Sequence, residues 1–133
     1  IVRDVFFLGQ KSELATKDDL QVGRDLQDTL YANRDRCVGM AANMIGVKKN
    51  IIIVNDDGNY LVMLNPEIIK TMGRLYETEE GCLSHIGVKK TKRYEKIKVA
   101  YYDVDFKKKI KTFSNYTAQI IQHEIDHCNG ILI

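Results

Sequence analysis

Tryptophan is absent from this 133-residue sequence, proline occurs once, and apolar runs such as Ile51-Ile52-Ile53-Val54 are no longer than a strand. A bilayer-spanning helix needs about 18 or more apolar residues in a row, so no membrane span is expected. With nine Gly and a single Pro the chain is not collagenous, and with 44% hydrophobic and 29% charged residues it is not disordered. An excess of one charge is also missing. Twenty Lys and Arg against 18 Asp and Glu leave +2, too small a field to imply direct binding of nucleic acid. Lys107-Lys108-Lys109 and Lys89-Lys90-Thr91-Lys92-Arg93 read as solvated strand ends or turns. Cysteine is scarce and odd in number: Cys37, Cys82 and Cys128 cannot form a disulfide framework, which points to a reducing cytoplasm. The opening Ile1-Val2-Arg3-Asp4 has neither an initiator Met nor the plan of a signal peptide. The native ends need not be those of this sequence, and secretion gains no support.

What the chain does contain is enough for one domain over residues 1–133 with a real core. A helix is expected over 18–33, capped by Thr16 and striped by Val22, Leu26 and Leu30. A small-residue segment follows, Cys37-Val38-Gly39-Met40-Ala41-Ala42-Asn43-Met44-Ile45-Gly46, in which Gly39 permits close approach of another group. Strands over 51–55 and 60–65 flank the turn sequence Asp56-Asp57-Gly58-Asn59, and Pro66 is expected to close the second. Another hairpin is centred on Asp105-Phe106-Lys107, between strands over 96–104 and 109–113. From Ser114 or Asn115 the period becomes helical, with Asn129-Gly130 as the stop. Helix, strands and then helix, without alternation, is an α+β order.

His123-Glu124-Ile125-Asp126-His127 matches H-E-x-x-H. Four residues apart on a helix, both imidazoles reach one metal, and the carboxylate beside the first is placed to act as general base toward a bound water. Two surface histidines on an amphipathic helix are the plainer alternative. A third ligand must come from upstream, since few residues follow His127. Cys82, His85, Cys37 and many carboxylates remain open, with Cys82 favoured by its neighbours Gly81 and Leu83. Cys128, about 100° around the helix from His127, reads as a buried, inert thiol.

Glu80-Gly81-Cys82-Leu83-Ser84 and Gln122-His123-Glu124-Ile125-Asp126-His127, preceded by Val38-Gly39-Met40-Ala41-Ala42, resemble the three signature motifs of peptide deformylases, in the right order. The resemblance covers nearly the whole chain. It implies mixed or antiparallel sheets packed around a central C-terminal helix that carries the H-E-x-x-H residues. It further implies Cys82, His123 and His127 as metal ligands and Glu124 as catalytic acid/base. The oxyanion would be held by the metal and the Leu83 N–H. Val38, Gly39, Gly81, Tyr116, Gln119 and Ile120 would bind substrate. The implied activity is removal of the formyl group from N-formyl-methionyl peptides of nascent chains in the bacterial cytoplasm, at the ribosome. The implied cofactor is one divalent metal ion, natively Fe²⁺, with Ni²⁺, Co²⁺ or Zn²⁺ accepted.

The sequence also departs from that pattern. Cys37 and Asn43-Met44 stand where the family has Gly and Pro-Gln, and a thioether at Met44 cannot donate to an oxyanion as an amide does. His85-Ile86 follows Ser84 where an apolar residue and Pro are common, and Gln119 brings a polar group to an otherwise apolar pocket wall. The alternatives are a deformylase-like metal protein with weak or no turnover, or one acting on another formyl or acyl peptide. A peptidase of different fold and a basic binding module are weaker still.

Overall fold

The computed structural model describes residues 1–84 and 87–132. Three α-helices, α1 (Val5–Leu8), α2 (Leu20–Ala32) and α3 (Asn115–Cys128), accompany five strands. The strands are β1 (Gly39–Ala41), β2 (Ile51–Asp56), β3 (Asn59–Gly81), β4 (Val88–Tyr102) and β5 (Lys108–Ser114). They form one sheet in the order β1-β2-β3-β4-β5, with every neighbouring pair antiparallel. The parallel pairing among the described residues is the isolated bridge Glu13–Lys49. The architecture is α+β.

Both faces of the sheet are covered at β2, which is why it is apolar from Ile51 to Val54 rather than alternating. Ile52 and Val54 pack with Met63, Ile97, Val99 and Tyr101 toward Ala118 and Ile121 of α3. Ile51 and Ile53 point the other way, into a second core with Val62, Leu64 and Met40 that receives Leu26 and Leu30 of α2. The expected helix over 18–33 is divided: Thr16 caps a 3-10 turn, Lys17–Asp19, in a reciprocal box with Asp19, and α2 proper begins at Leu20. Its apolar stripe is narrower than its sequence indicates. Val22 is half-buried, while Gly23 takes the contact with Val62, whose methyl would lie 3.0 Å from an added Cβ.

The first hairpin turns as expected, with Asp57 (φ 51°) and Gly58 (φ 94°) both left-handed, the requirement of the turn that matches strand twist. The second turns between Tyr102 and Lys108, where Asp103 Oδ1 accepts from the backbone N–H groups of Asp105 and Lys107.

Pro66 does not close its strand. β3 continues to Gly81, and Pro66 falls where the β3–β4 register shifts between Leu64 and Glu67. A residue without an N–H is tolerated at such a bulge. Asn65, at φ 52°, leaves the ladder there, and its amide pairs with both the N–H and the carbonyl of Ala15. Beyond the bulge, β3 and β4 run on as a ribbon that delivers Glu80 and Gly81 opposite Lys89 and Val88.

Candidate active site

α3 is the backbone of the site. Its Ala118, Ile120, Ile121 and Cys128 are buried, and on the same helix His123, Glu124 and His127 are 7%, 4% and 1% exposed. Burial of all three disposes of the surface-histidine alternative. His123 Nε2 and His127 Nε2 lie 3.0 Å apart, and Cys82 Sγ, just past the end of β3, lies 3.4 Å from His127 Nε2. One donor atom from each of the three residues falls within 4.8 Å of the others. Tetrahedral bonds of about 2.0–2.1 Å to nitrogen and 2.3 Å to sulfur separate two nitrogens by about 3.3 Å and nitrogen from sulfur by about 3.6 Å. The cluster therefore has both the chemistry and the spacing to hold one divalent ion. Cys37 is outside it: its Sγ donates to the Gly39 carbonyl at 2.9 Å, and burial pushes its thiol up to about 11. His85 lies outside the described residues. Cys128 is buried, with its thiol pushed up to about 12 by that burial.

A charged network absent from the sequence reading anchors His123. Glu80 Oε1 meets His123 Nδ1 at 2.8 Å, and Arg93 grips the same carboxylate through Nε and Nη2 while its Nη1 reaches Asp126. Burial alone would raise the Glu80 pKa, but His123 and Arg93 hold it down to about 2. Burial likewise opposes charge on His123, yet Cys82 and Glu80 push it up to about 10; a bound metal would take the place of that proton. Arg93 is only 4% exposed, which corrects its reading as part of a solvated basic cluster. Lys107, Lys108 and Lys109 are exposed as expected. The sequence signal for Arg93 was its place in an alternating strand, where an inward residue follows outward Lys92.

Glu124 is the other buried charge, and burial pushes its pKa up to about 7. Its Oε1 has no hydrogen-bond partner among the described residues. Room for the carboxylate comes from Gly39, where an added Cβ would lie 2.9 Å from Glu124 Oε2 and 2.6 Å from an Ile120 methyl. Gly39 is thus required for packing and not for its backbone dihedrals.

These groups open onto a cavity of about 600 Å³. Val38, Gly39 and Met44 line it on one side, Gly81, Cys82 and Leu83 on another, and Tyr116, Gln119, Ile120, His123 and Glu124 along α3. His127 does not line it. Met44 points its thioether at the backbone N–H of Ala41, 3.5 Å away. Asn43 turns from the cavity and donates Nδ2 to the His127 carbonyl at 2.9 Å. Arg34, Arg36 and Glu79 form a charged rim. Tyr76, unnoticed in the sequence, donates its hydroxyl to Gln119 Oε1 at 3.0 Å.

Known proteins are similar to this chain in sequence and in fold. Residues 8–133 match the family described as polypeptide deformylase. A peptide deformylase of Clostridium beijerinckii is 58% identical over 133 residues, spanning 100% of this chain and 97% of that protein. One of Brachyspira hyodysenteriae is 37% identical over 93% of this chain and 70% of its own. Among solved structures, the class I type b peptide deformylase of Acinetobacter baumannii superposes with a TM-score of 0.88 at 31% identity, covering 98% of this chain and 93% of that one. The enzyme of the Vibrio parahaemolyticus bacteriophage VP16T, in complex with actinonin, gives 0.89 at 29% identity, covering 100% and 98%. With the match reaching from the first helix through the donor cluster, this chain belongs to the peptide deformylase family.

Proposed function

We propose that the protein hydrolyses the N-terminal formyl group of formyl-methionyl nascent peptides, releasing formate and a free amine. The observation that carries this reading is the cluster of Cys82 Sγ and two imidazole nitrogens at a cavity lined by Cys82, His123 and a buried Glu124, whose Oε1 has no hydrogen-bond partner among the described residues. An A. baumannii relative has been solved with Met-Ala-Ser bound, the tripeptide that deformylation of formyl-Met-Ala-Ser leaves behind. Cys82, His123 and His127 hold the metal; when bound, it supplies Lewis acidity that acidifies water and polarises a carbonyl. A set of one thiolate and two imidazoles suits Fe²⁺, Ni²⁺, Co²⁺ and Zn²⁺ alike, and Fe²⁺ is the native ion in this reading.

Glu124 takes the proton from the attacking water through the oxygen that has no other partner among the described residues, then passes it to the departing amine nitrogen. The backbone N–H of Leu83, on the cavity wall, donates to the oxygen that becomes charged. Glu80 holds His123 by Nδ1 so that Nε2 faces the donor cluster, the usual work of an outer carboxylate. The single domain acts in the bacterial cytoplasm on chains as they leave the ribosome. No helix among the described residues is long and apolar enough to cross a membrane.

The test is formate release from formyl-Met-Ala-Ser by protein loaded anaerobically with Fe²⁺ or Ni²⁺, beside Glu124→Gln. The parent turns over; the variant keeps one metal per chain and loses about 10²–10⁴ in rate, the scale of a positioned acid/base. A variant within a few-fold of the parent removes Glu124 from the mechanism, and a metal-loaded parent that releases no formate overturns the proposed activity.

A further inference from the structure

The wall of the cavity along α3 is not uniformly apolar. Tyr116, Gln119, Ile120 and His123 share the face toward it, and Gln119 lies one turn before His123. A turn of helix rises about 5.4 Å. In an extended formyl-amino acid, standard bond lengths put the third side-chain atom roughly 6 Å from the formyl carbon. With the formyl carbon at Glu124 and the donor cluster, the far end of the first side chain therefore comes level with Gln119.

The amide of Gln119 is oriented from behind. Tyr76 donates to its carbonyl oxygen at 3.0 Å, and Tyr76 lies in a separate hollow that Gln119 and Tyr116 divide from the main cavity. With Oε1 engaged on that side, Nε2 carries two hydrogens that meet no acceptor among the described residues. An amide held by its carbonyl offers only donors forward. A thioether accepts such a donor weakly, a sulfoxide oxygen accepts it well, and a methylene not at all. In an all-apolar pocket a sulfoxide would lose its hydration without replacement.

We propose that Gln119 Nε2 is a specificity-determining donor to the third atom of the substrate's first side chain. On this assignment the enzyme accepts formyl-methionine sulfoxide peptides alongside formyl-methionine peptides and disfavours the norleucine isostere. The inference rests on the deformylase reading and deepens it by naming a second substrate class, peptides whose first residue has been oxidised.

Two measurements separate the inference from its premise. Calorimetry on metal-loaded protein gives the affinities of Met-Ala-Ser, its sulfoxide and norleucine-Ala-Ser, which need no turnover; formate release gives kcat/KM for the three formyl peptides. In the parent, the sulfoxide is within a few-fold of methionine and both exceed norleucine. Gln119→Leu lowers the sulfoxide about tenfold relative to norleucine, the size of one hydrogen bond, chiefly in KM. Tyr76→Phe, which frees the amide without removing it, moves the same ratio less. The same ranking of the three peptides in parent and Gln119→Leu overturns the inference. The expected affinity order without turnover on any formyl peptide supports the donor and overturns the deformylase reading instead.

Discussion

Asn43 and Met44 are neighbours in the 3-10 turn Ala42–Ile45, yet their side chains go opposite ways. The Asn43 amide donates to the His127 carbonyl and so ties this turn to the helix of the donor cluster, while Met44 lines the cavity with its thioether turned to the Ala41 N–H. The Asn43 amide is thus turned away from the cavity, and in the proposed mechanism the oxyanion would rely on the Leu83 N–H and the metal. Met44→Gln replaces a buried thioether by a donor of nearly equal length. It is expected to raise kcat on formyl-Met peptides about tenfold, less than the 10²–10³ of an ideally placed donor because the surrounding wall did not evolve around it. Most of the gain belongs in kcat and not KM, since charge reaches the formyl oxygen only as water adds. Parent and variant compared at equal metal loading decide it; an unchanged rate would show that Leu83 suffices.

At the level of elements, Arg93 joins three of them, gripping Glu80 of β3 and Asp126 of α3 from its place in β4. Arg93→Leu leaves the buried Glu80 with His123 alone and takes the partner from Asp126, and removal of one partner from a buried pair costs about 3–5 kcal/mol. Urea unfolding should register a loss of that order, with the midpoint falling and the slope retained. This network was illegible in the sequence because pairing a cation on β4 with carboxylates on β3 and α3 depends on register, which spacing does not encode. The ribbon hid for a related reason. From Glu67 to Glu79 its side chains are mostly exposed or half-buried, so no clean apolar alternation marks a strand, and Pro66 read as its end. The core strands, both hairpin turns and the span of α3 were readable because burial on both faces, Asp-Gly chemistry and a 3–4 residue period leave strong local signals. The donor cluster was readable as well, its His pair by helical spacing and Cys82 by its neighbours, whereas Tyr76 behind Gln119 gave no signal at all.

For the molecule as a whole, the metal binds the folded chain and has no preformed site in the unfolded one, so its binding energy adds to stability. Chelation should lower Tm by several degrees, with about 2.7 kcal/mol lost from protein held at a hundredfold excess of Zn²⁺ over its Kd; adding Zn²⁺ back should restore the original melting curve. The spacing of the donors carries that result into kinetics. Cys82 and His123 stand forty-one positions apart, at the end of a ribbon and on a helix that meets it only when the sheet is closed. Joining them requires the loop-closure entropy to be met first, so the complete three-donor site is expected to close late in folding, which refolding and unfolding rates with and without Zn²⁺ would measure. Metal then acts as a latch on escape: it slows unfolding and leaves refolding nearly untouched, and a cell starved of the ion would make this enzyme at the usual speed but keep each copy for a shorter time.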